Sequence, residues 1–325
     1  LNSHLPTVWT LIDDRIGNTN QTLGLAKALN FPYVVKNIQY TNLIKLPNFL
    51  KYNALIGITN QTIDTLTDPF PDIVIASGRR AAVVSLYIKR KSPKTFIIHI
   101  MDPQINYQYF DLLIIPEHDR PPAHPNIIKS IGAIHNVSPT LLTEHAQKWA
   151  PTFAALNRPL IAVIIGGNSK HGAFTDNNIK SLITNINNIA DKLSGSLLIT
   201  TSRRTPSHLR TMLTNSFTVP CFLHDFKDHA ANPYYGILAL SDIIIVTGDS
   251  VSMCSEACYT GKPVYVFAPN NIMSKKHSRF IEQLAKNHYI NIFTNTLLYD
   301  RTNPNKFTLD EASRIAKLIK QQFNY

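Results

Sequence analysis

Cysteine is scarce: 325 residues hold three, Cys221, Cys254 and Cys258, with no C-x-x-C among them. An odd, scattered set offers no disulfide framework and fits a reducing, cytoplasmic compartment. Cys254 and Cys258 stand four apart in a helical stretch, where small apolar packing is expected of them. No apolar run reaches the ~20 residues that span a bilayer. No secretory pattern opens the chain, and its start at Leu1 rather than Met leads us to expect a short trimmed leader. There is no G-x-x-x-x-G-K-[ST], which excludes a P-loop; Gly261-Lys262-Pro263 follows a helix and ends in proline. Absence of G-x-G-x-x-G after the first strand argues against a dinucleotide oxidoreductase, and absence of G-x-S-x-G against a hydrolase elbow. The twelve histidines contain no H-E-x-x-H, so no metal site is expected. Acidic residues are outnumbered, 21 against 32 basic, for a net charge of +11. The excess is split into short clusters (Lys89-Arg90-Lys91, Arg203-Arg204, Lys275-Lys276) without interleaved aromatics. That excludes nucleic acid as the expected partner and leaves phosphorylated small molecules or an anionic membrane surface.

What the chain has is a repeated unit. Its length suits two domains of about 150 residues each. In the first half, strands are expected at Val8–Ile12, Tyr33–Ile38, Ile73–Ala76, Phe96–Ile100 and Leu112–Ile115, with helices at Asn20–Leu29 and Arg79–Lys89. In the second, strands are expected at Leu160–Ile165, Leu197–Thr201, Ile243–Val246 and Val264–Phe267, with helices at Asn177–Leu193, Pro206–Leu213, Tyr235–Leu240, Val251–Tyr259 and His277–Lys286. Short β-branched runs alternating with helices predict parallel sheets covered on both faces. Pro151 and Pro159 bracket a non-periodic stretch and put the boundary near Ala150–Pro159, giving domains 1–150 and 151–325. The tail carries a capping box (Thr308, Glu311) and apolar Ile315, Leu318 and Ile319 at helical spacing. A helix over 308–323 is expected, packing back on the first domain or lying on a membrane surface.

In doubly wound sheets, ligands bind beyond the carboxyl ends of the strands. The polar residues cluster there. Asp13-Asp14-Arg15-Ile16-Gly17-Asn18-Thr19-Asn20-Gln21 follows the first strand, Ser77-Gly78-Arg79-Arg80 a later one, and Asp102-Pro103 another. In the second half, Gly166-Gly167-Asn168-Ser169-Lys170-His171-Gly172 and Thr201-Ser202-Arg203-Arg204-Thr205-Pro206 hold equivalent places. Asp249-Ser250-Val251-Ser252 opens a helix whose free N–H groups and dipole favour an anion, and Glu256 lies one turn beyond Ser252. Such a carboxylate suits sugar hydroxyls beside a bound phosphate. Asp14 and Asp102 end strands at the expected cleft and are the candidate bases.

Ser255-Glu256-Ala257 with Gly261-Lys262-Pro263 resembles the donor-site helix of GT-B glycosyltransferases that use nucleotide sugars. Over nearly its whole length the chain is similar to the mitochondrial-fission "elongated mitochondria" family. The matching residues include Asp14, Arg15, Gly17, Asn18, Asn20 and Gln21, then Gly78-Arg79-Arg80, Asp102-Pro103, Thr201 to Pro206, Asn232-Pro233-Tyr234, and Asp249 to Met253. The resemblance implies an α/β chain of two tandem doubly wound Rossmann-like domains with an interdomain cleft. It implies a metal-independent transferase that takes a nucleotide sugar as substrate, needs no cofactor, and acts on a cell-envelope acceptor from the cytoplasmic side, peripheral on the inner face of a membrane. Ser250, Val251 and Ser252 would hold the pyrophosphate with Asp249, Gly166 and Gly167 beside them, Ser202 and Arg203 would neutralise it, and Glu256 would bind the ribose. Phe222–Asp225 would lie near the base, while Arg15, Gly17, Asn18, Gln21, Arg79 and Arg80 line the first domain's side. Related membrane-surface transferases carry a histidine in the first glycine loop, and Gly17–Gln21 has none. Plant members help recruit a dynamin-like protein to mitochondria. The alternative they imply is a non-catalytic scaffold that recruits a protein partner.

Overall fold

The computed structural model describes residues 5–45, 55–169, 172–214, 216–228, 230–294 and 307–322. Lys170 and His171 of the second glycine loop, and residue 323 of the expected tail helix, lie outside them. The chain forms two compact units, Leu1–Asn136 with Asp310–Tyr325, and Val137–Leu309.

The first unit is a parallel six-stranded sheet in the order β2-β1-β3-β4-β5-β6. Its strands are β1 (Val8–Ile12), β2 (Tyr33–Asn37), β3 (Ile73–Ser77), β4 (Phe96–Ile100), β5 (Leu112–Pro116) and β6 (Ile127–Ser130). Side chains alternate across the sheet as a period of two requires. Val74, Ala76, Ile97, Leu113 and Ile115 face the helix Gly78–Lys91 on one side. Ile73, Ile75, Ile98, Ile100, Leu112 and Ile114 pack on the other with Leu25 and Leu29 of the helix Ile16–Leu29. Ile315, Ala316 and Ile319 of the terminal helix Glu311–Gln322 join that second cluster. Ile315 and Ile319 of the tail are thus buried in its own unit, while Leu318 is left exposed. The capping expectation is corrected. Asp310 Oδ1 accepts the Ser313 N–H at 2.9 Å, while buried Glu311 accepts the Ile131 N–H at 3.1 Å and pairs with Arg314 at 2.7 Å.

The second unit is also a parallel six-stranded sheet, ordered β12-β11-β10-β7-β8-β9. These strands are β7 (Leu160–Ile164), β8 (Ser196–Thr200), β9 (Cys221–His224), β10 (Ile243–Thr247), β11 (Val264–Phe267) and β12 (Asn291–Ile292). β7, β8 and β10 are buried at every residue, which is why they read as unbroken apolar runs. The helix Pro139–Phe153 belongs with this unit, so the division falls between Asn136 and Val137 and not at 150–159. Trp149 lies against Gly236, where a Cβ would come within 2.5 Å of the indole, and Phe153 meets Phe222 edge-on with ring centres 5.0 Å apart. Pro151 sits inside the last turn of that helix rather than ending a domain. Among the described residues no helix is long and apolar enough to cross a membrane.

Strand order reverses between β1 and β3 in one sheet and between β7 and β10 in the other. Ligand crevices of this fold class open beyond the carboxyl ends of the strands at such switch points.

Candidate functional site

In the second unit, the loops leaving β7 and β10 cross at the switch point and are laced together. The Gly166 N–H donates to Thr247 Oγ1 at 2.8 Å, and Thr247 Oγ1 donates to Asp249 Oδ1 at 2.6 Å. Asp249 Oδ2 accepts the Gly167 N–H at 2.9 Å and Arg204 Nη2 at 2.8 Å. Ser202 Oγ donates to the Gly166 carbonyl at 2.8 Å, and Thr205 Oγ1 donates to the same oxygen. Only glycine permits the approach: a Cβ on Gly166 would sit 2.2 Å from Asp249 Oδ2, and one on Gly167 would sit 2.1 Å from the Arg204 backbone.

This lacing corrects four expectations. Gly166, Gly167, Ser202 and Asp249 direct their N–H, hydroxyl and carboxylate groups at one another, which leaves none of these for phosphate. A fully buried carboxylate would also repel an anion. The guanidinium that holds the loop is that of Arg204; Arg203, one residue earlier, stays exposed. Phe222 packs against Phe153 and Trp149, and Asp225 is paired with Arg210 at 3.2 Å, which ties this half-buried segment into the unit.

What remains open is the helix Val251–Tyr259. Ser250 caps it, its Oγ accepting the Met253 N–H at 3.5 Å, and its first turn contains no acidic residue. Val251 and Ser252 are half-buried there, at the end of the helix where unpaired N–H groups and the dipole favour an anion. Arg204 Nη2 also reaches the Asp249 carbonyl at 3.3 Å, which keeps the Arg203 loop beside this helix start.

Glu256 lies one turn further along and is 5% exposed. Its Oε2 accepts the phenol of Tyr234 at 2.5 Å. Burial raises the carboxyl from 4.5 to about 7, and the Tyr234 hydrogen bond lowers it. Burial, with Glu256 nearby, also pushes the Tyr235 phenol up to about 12. Because the folded carboxyl holds its proton longer than the unfolded one, its stabilisation is complete below about pH 4.5 and lost as pH rises through about 7. At about 1.4 kcal/mol per unit the loss is about 3 kcal/mol. Urea unfolding across this range should show that slope in the wild type and not in Glu256→Gln.

The Gly-Lys-Pro motif proves structural. Gly261 takes φ +69° after the helix, and Lys262 Nζ donates to the Leu238 and Ala239 carbonyls at 2.6 Å each. It thereby caps the helix Tyr234–Leu240, and burial lowers its ammonium to about 8.

In the first unit, Arg80 joins the switch-point loops. Its Nη2 pairs with Asp13 Oδ2 at 2.8 Å and with Asp14 Oδ1, and the guanidinium stands 4.5 Å from the centre of the Tyr40 ring. Asp13 is 2% exposed and Asp14 75%. Arg80 is thus neutralised by two carboxylates rather than available to an anion. A cavity of about 690 Å³ opens beside it, lined by Asp14, Asn37, Gln39, Tyr40 and Asn42 among others. Asp102 is not part of that lining. Its Oδ1 accepts the Gln104 N–H at 2.8 Å in an exposed turn, with the Tyr107 phenol as a second partner.

The first helix starts at Ile16, four residues before the expected Asn20, so Gly17 lies in a helical turn with open space where a Cβ would go. Asn18 packs against Gly78, which has φ +80°. Gln21 Nε2 donates to the Gly17 carbonyl at 3.3 Å. Arg15 is exposed, its N–H bonded to Asp13 Oδ1 at 2.9 Å, and Arg79 reaches Gln104 Oε1 at 3.4 Å. Sequence reasoning assigned no role to Thr247, Arg204, Thr205 or Tyr234; the available signal was that the last three stand inside quoted motifs. Among the described residues no three His, Cys, Asp or Glu side chains gather into a metal-binding group.

Residues 16–323 match the family model described as Mitochondrial fission ELM1. The Rickettsia prowazekii (strain Madrid E) protein named Uncharacterized protein RP120 is 34% identical over 351 aligned residues, covering 96% of this chain and 97% of the relative. Mitochondrial fission protein ELM1 of Arabidopsis thaliana is 31% identical over 264 residues, covering 73% of this chain and 61% of its own length. Among solved structures, UDP-GlcNAc 2-epimerase from Methanocaldococcus jannaschii gives a TM-score of 0.56 at 13% identity, covering 97% of this chain and 99% of that one. The glycotransferase of kitacinnamycin gives 0.54 at 10% identity, covering 98% and 99%. At such identities the likeness bears on the fold, two Rossmann-like domains of GT-B-like type.

Proposed function

The chain belongs to the mitochondrial fission ELM1 family, and from that premise we propose that it is a nucleotide-sugar enzyme, a metal-independent glycosyltransferase acting on a cell-envelope acceptor. The observation that carries this reading is Glu256, a carboxyl buried one turn beyond an open helix start. Val251 and Ser252 N–H groups and the exposed Arg203 take the diphosphate, and Glu256 takes the ribose hydroxyls. As the sugar departs, negative charge grows on the diphosphate, where donors already in place stabilise the transition state more than the ground state. Two of the structural neighbours, by their names, are a UDP-GlcNAc 2-epimerase and a glycotransferase, which supports a nucleotide sugar as the ligand class. Transfer is favoured over epimerisation by the first unit, whose Asp14 carboxylate stands beside a polar cavity suited to a hydroxyl acceptor and serves as base. The basic surplus supports work at an anionic membrane face, peripheral and cytoplasmic.

A thermal-shift screen against UDP-, GDP-, ADP-, dTDP- and CMP-linked sugars tests this. A ligand at a hundred times its dissociation constant adds about 2.7 kcal/mol, a shift of several degrees. One nucleotide class should stabilise the wild type and not Glu256→Ala. Silence from all five would overturn the enzyme reading and favour the recruiting scaffold. A specific observation already leans toward that second reading: the β7 loop directs both glycine N–H groups inward.

A further inference from the structure

We infer that Tyr234 is a positioning residue for Glu256, and that Asn232-Pro233-Tyr234 and Glu256 to Lys262 are two halves of one device. Tyr234 OH donates to Glu256 Oε2 at 2.5 Å, tying down one carboxyl oxygen. The carrying helix, Tyr234–Leu240, is fixed at both ends. At its start Asn232 Oδ1 accepts the Tyr234 N–H at 2.9 Å, with Pro233 at the cap position. At its end Lys262 Nζ binds the Leu238 and Ala239 carbonyls at 2.6 Å each. Lys262 follows Glu256 by six residues, so the chain segment bearing the carboxyl also grips the helix bearing the phenol. Between these ends, Gly236 seats the helix on Trp149, within 2.5 Å of where a Cβ would stand. Neither partner can swing without breaking one of these contacts.

The consequence concerns recognition. With Oε2 held by the phenol, Oε1 is the oxygen left to accept from a ligand, in a fixed direction. A carboxylate fixed this way suits one edge of a vicinal diol, and so distinguishes a ribose from a 2′-deoxyribose. The titratable groups nearest the carboxyl are Tyr234 and Tyr235 on the facing helix and Cys254 on its own. Of these only the Tyr234 phenol donates to it. This inference rests on the proposed donor site and adds what sets its sugar selectivity.

The test compares binding of UDP, GDP and ADP with their 2′-deoxy counterparts by calorimetry, in the wild type and in Tyr234→Phe. In the wild type the ribonucleotide should bind at least about tenfold more tightly than its deoxy form, as loss of a hydrogen bond to a charged group predicts. In Tyr234→Phe that ratio should fall toward one, with the deoxy affinity unchanged. The pH midpoint of ribonucleotide binding should also move upward, because the hydrogen bond that favours the ionised carboxyl is gone. A merely structural role would weaken both nucleotides alike and leave the midpoint in place. An unchanged ratio and midpoint in Tyr234→Phe, with discrimination intact in the wild type, overturns this inference alone. Absence of binding by UDP, GDP, ADP, dTDP and CMP alike, or of ribose discrimination by the nucleotide that does bind, in the wild type overturns the donor-site reading with it. Should Tyr234→Phe fold poorly, Lys262→Met supplies the second variant, with the same fall in ratio expected from releasing the helix end.

Discussion

Asp249→Ala should destabilise the second unit by about 2–4 kcal/mol, the range for leaving a buried N–H without its acceptor and opening a void, with water reaching the one-third-exposed Arg204. The side chain is fully buried, and four groups converge on it or on its bonded neighbour: the Gly166 and Gly167 N–H groups, the Thr247 hydroxyl and the Arg204 guanidinium. Alanine leaves the Gly167 N–H and one arm of Arg204 without their acceptor. It also opens a void at the point where Gly166 depends on close approach. Asp249→Asn can keep its oxygen toward the Gly167 N–H and Arg204, which share Oδ2, only by turning its amide donor to Thr247 in place of the acceptor Oδ1, so an intermediate loss is expected. Chemical unfolding followed separately for each unit measures both variants. The second unit's transition should move to lower denaturant while the first stays in place. An alanine variant as stable as the wild type would show that the lacing of the β7 and β10 loops contributes little. Ligand affinity is the companion measurement, because a carboxylate in direct contact with phosphate would raise affinity when removed. A purely internal one lowers it through the displaced helix start.

The role of Asp249 marks where sequence reasoning stops. The central strands β3, β5, β7, β8 and β10 are buried throughout and announce themselves as apolar β-branched runs. The edge strands β9 and β12 are only four and two residues long, too short for their apolar residues to stand out as a run. The helix Pro139–Phe153 buries only Phe153 fully, and its internal Pro151 reads as a boundary. The same holds at the site. Placement of polar residues beyond strand ends follows from α/β geometry, so the loops holding Ser202, Asp249 and Asp14 were legible as a group. Which of them turn inward depends on how loops from β7, β8 and β10 cross, and nothing local distinguishes buried Asp249 from half-buried Ser250 next to it. Arg203 and Arg204 are equally alike in sequence, yet only the second meets a buried carboxylate. Tyr234 and Glu256 are 22 residues apart, and only the tertiary packing of two helices makes them partners.

Arg80→Ala should carry a comparable cost of about 3–5 kcal/mol in the first unit, while Asp14→Ala should cost less than about 1 kcal/mol. The same guanidinium contacts both carboxylates, and burial separates the outcomes. Asp13 is 2% exposed, so without Arg80 its charge is left in a site that water does not reach. Asp14 is 75% exposed, and water replaces the lost partner. Arg80→Lys should recover only part of the loss, because an ammonium can meet the two carboxylates that share Nη2 but cannot lie flat over the Tyr40 ring as the guanidinium does. Asp13→Asn combined with Arg80→Met should be milder than Arg80→Ala, since no buried charge is then stranded. Urea midpoints of the first unit's transition order these variants, and equal midpoints for Arg80→Ala and Asp14→Ala would refute the division of labour. On the proposed reading the division has a chemical purpose. The buried carboxylate anchors Arg80, and Arg80 in turn holds the exposed carboxylate of Asp14 at the cavity mouth, placed to accept a proton from a hydroxyl acceptor. Asp14→Ala should therefore leave a folded protein that still binds a nucleotide in its second unit but no longer transfers the sugar.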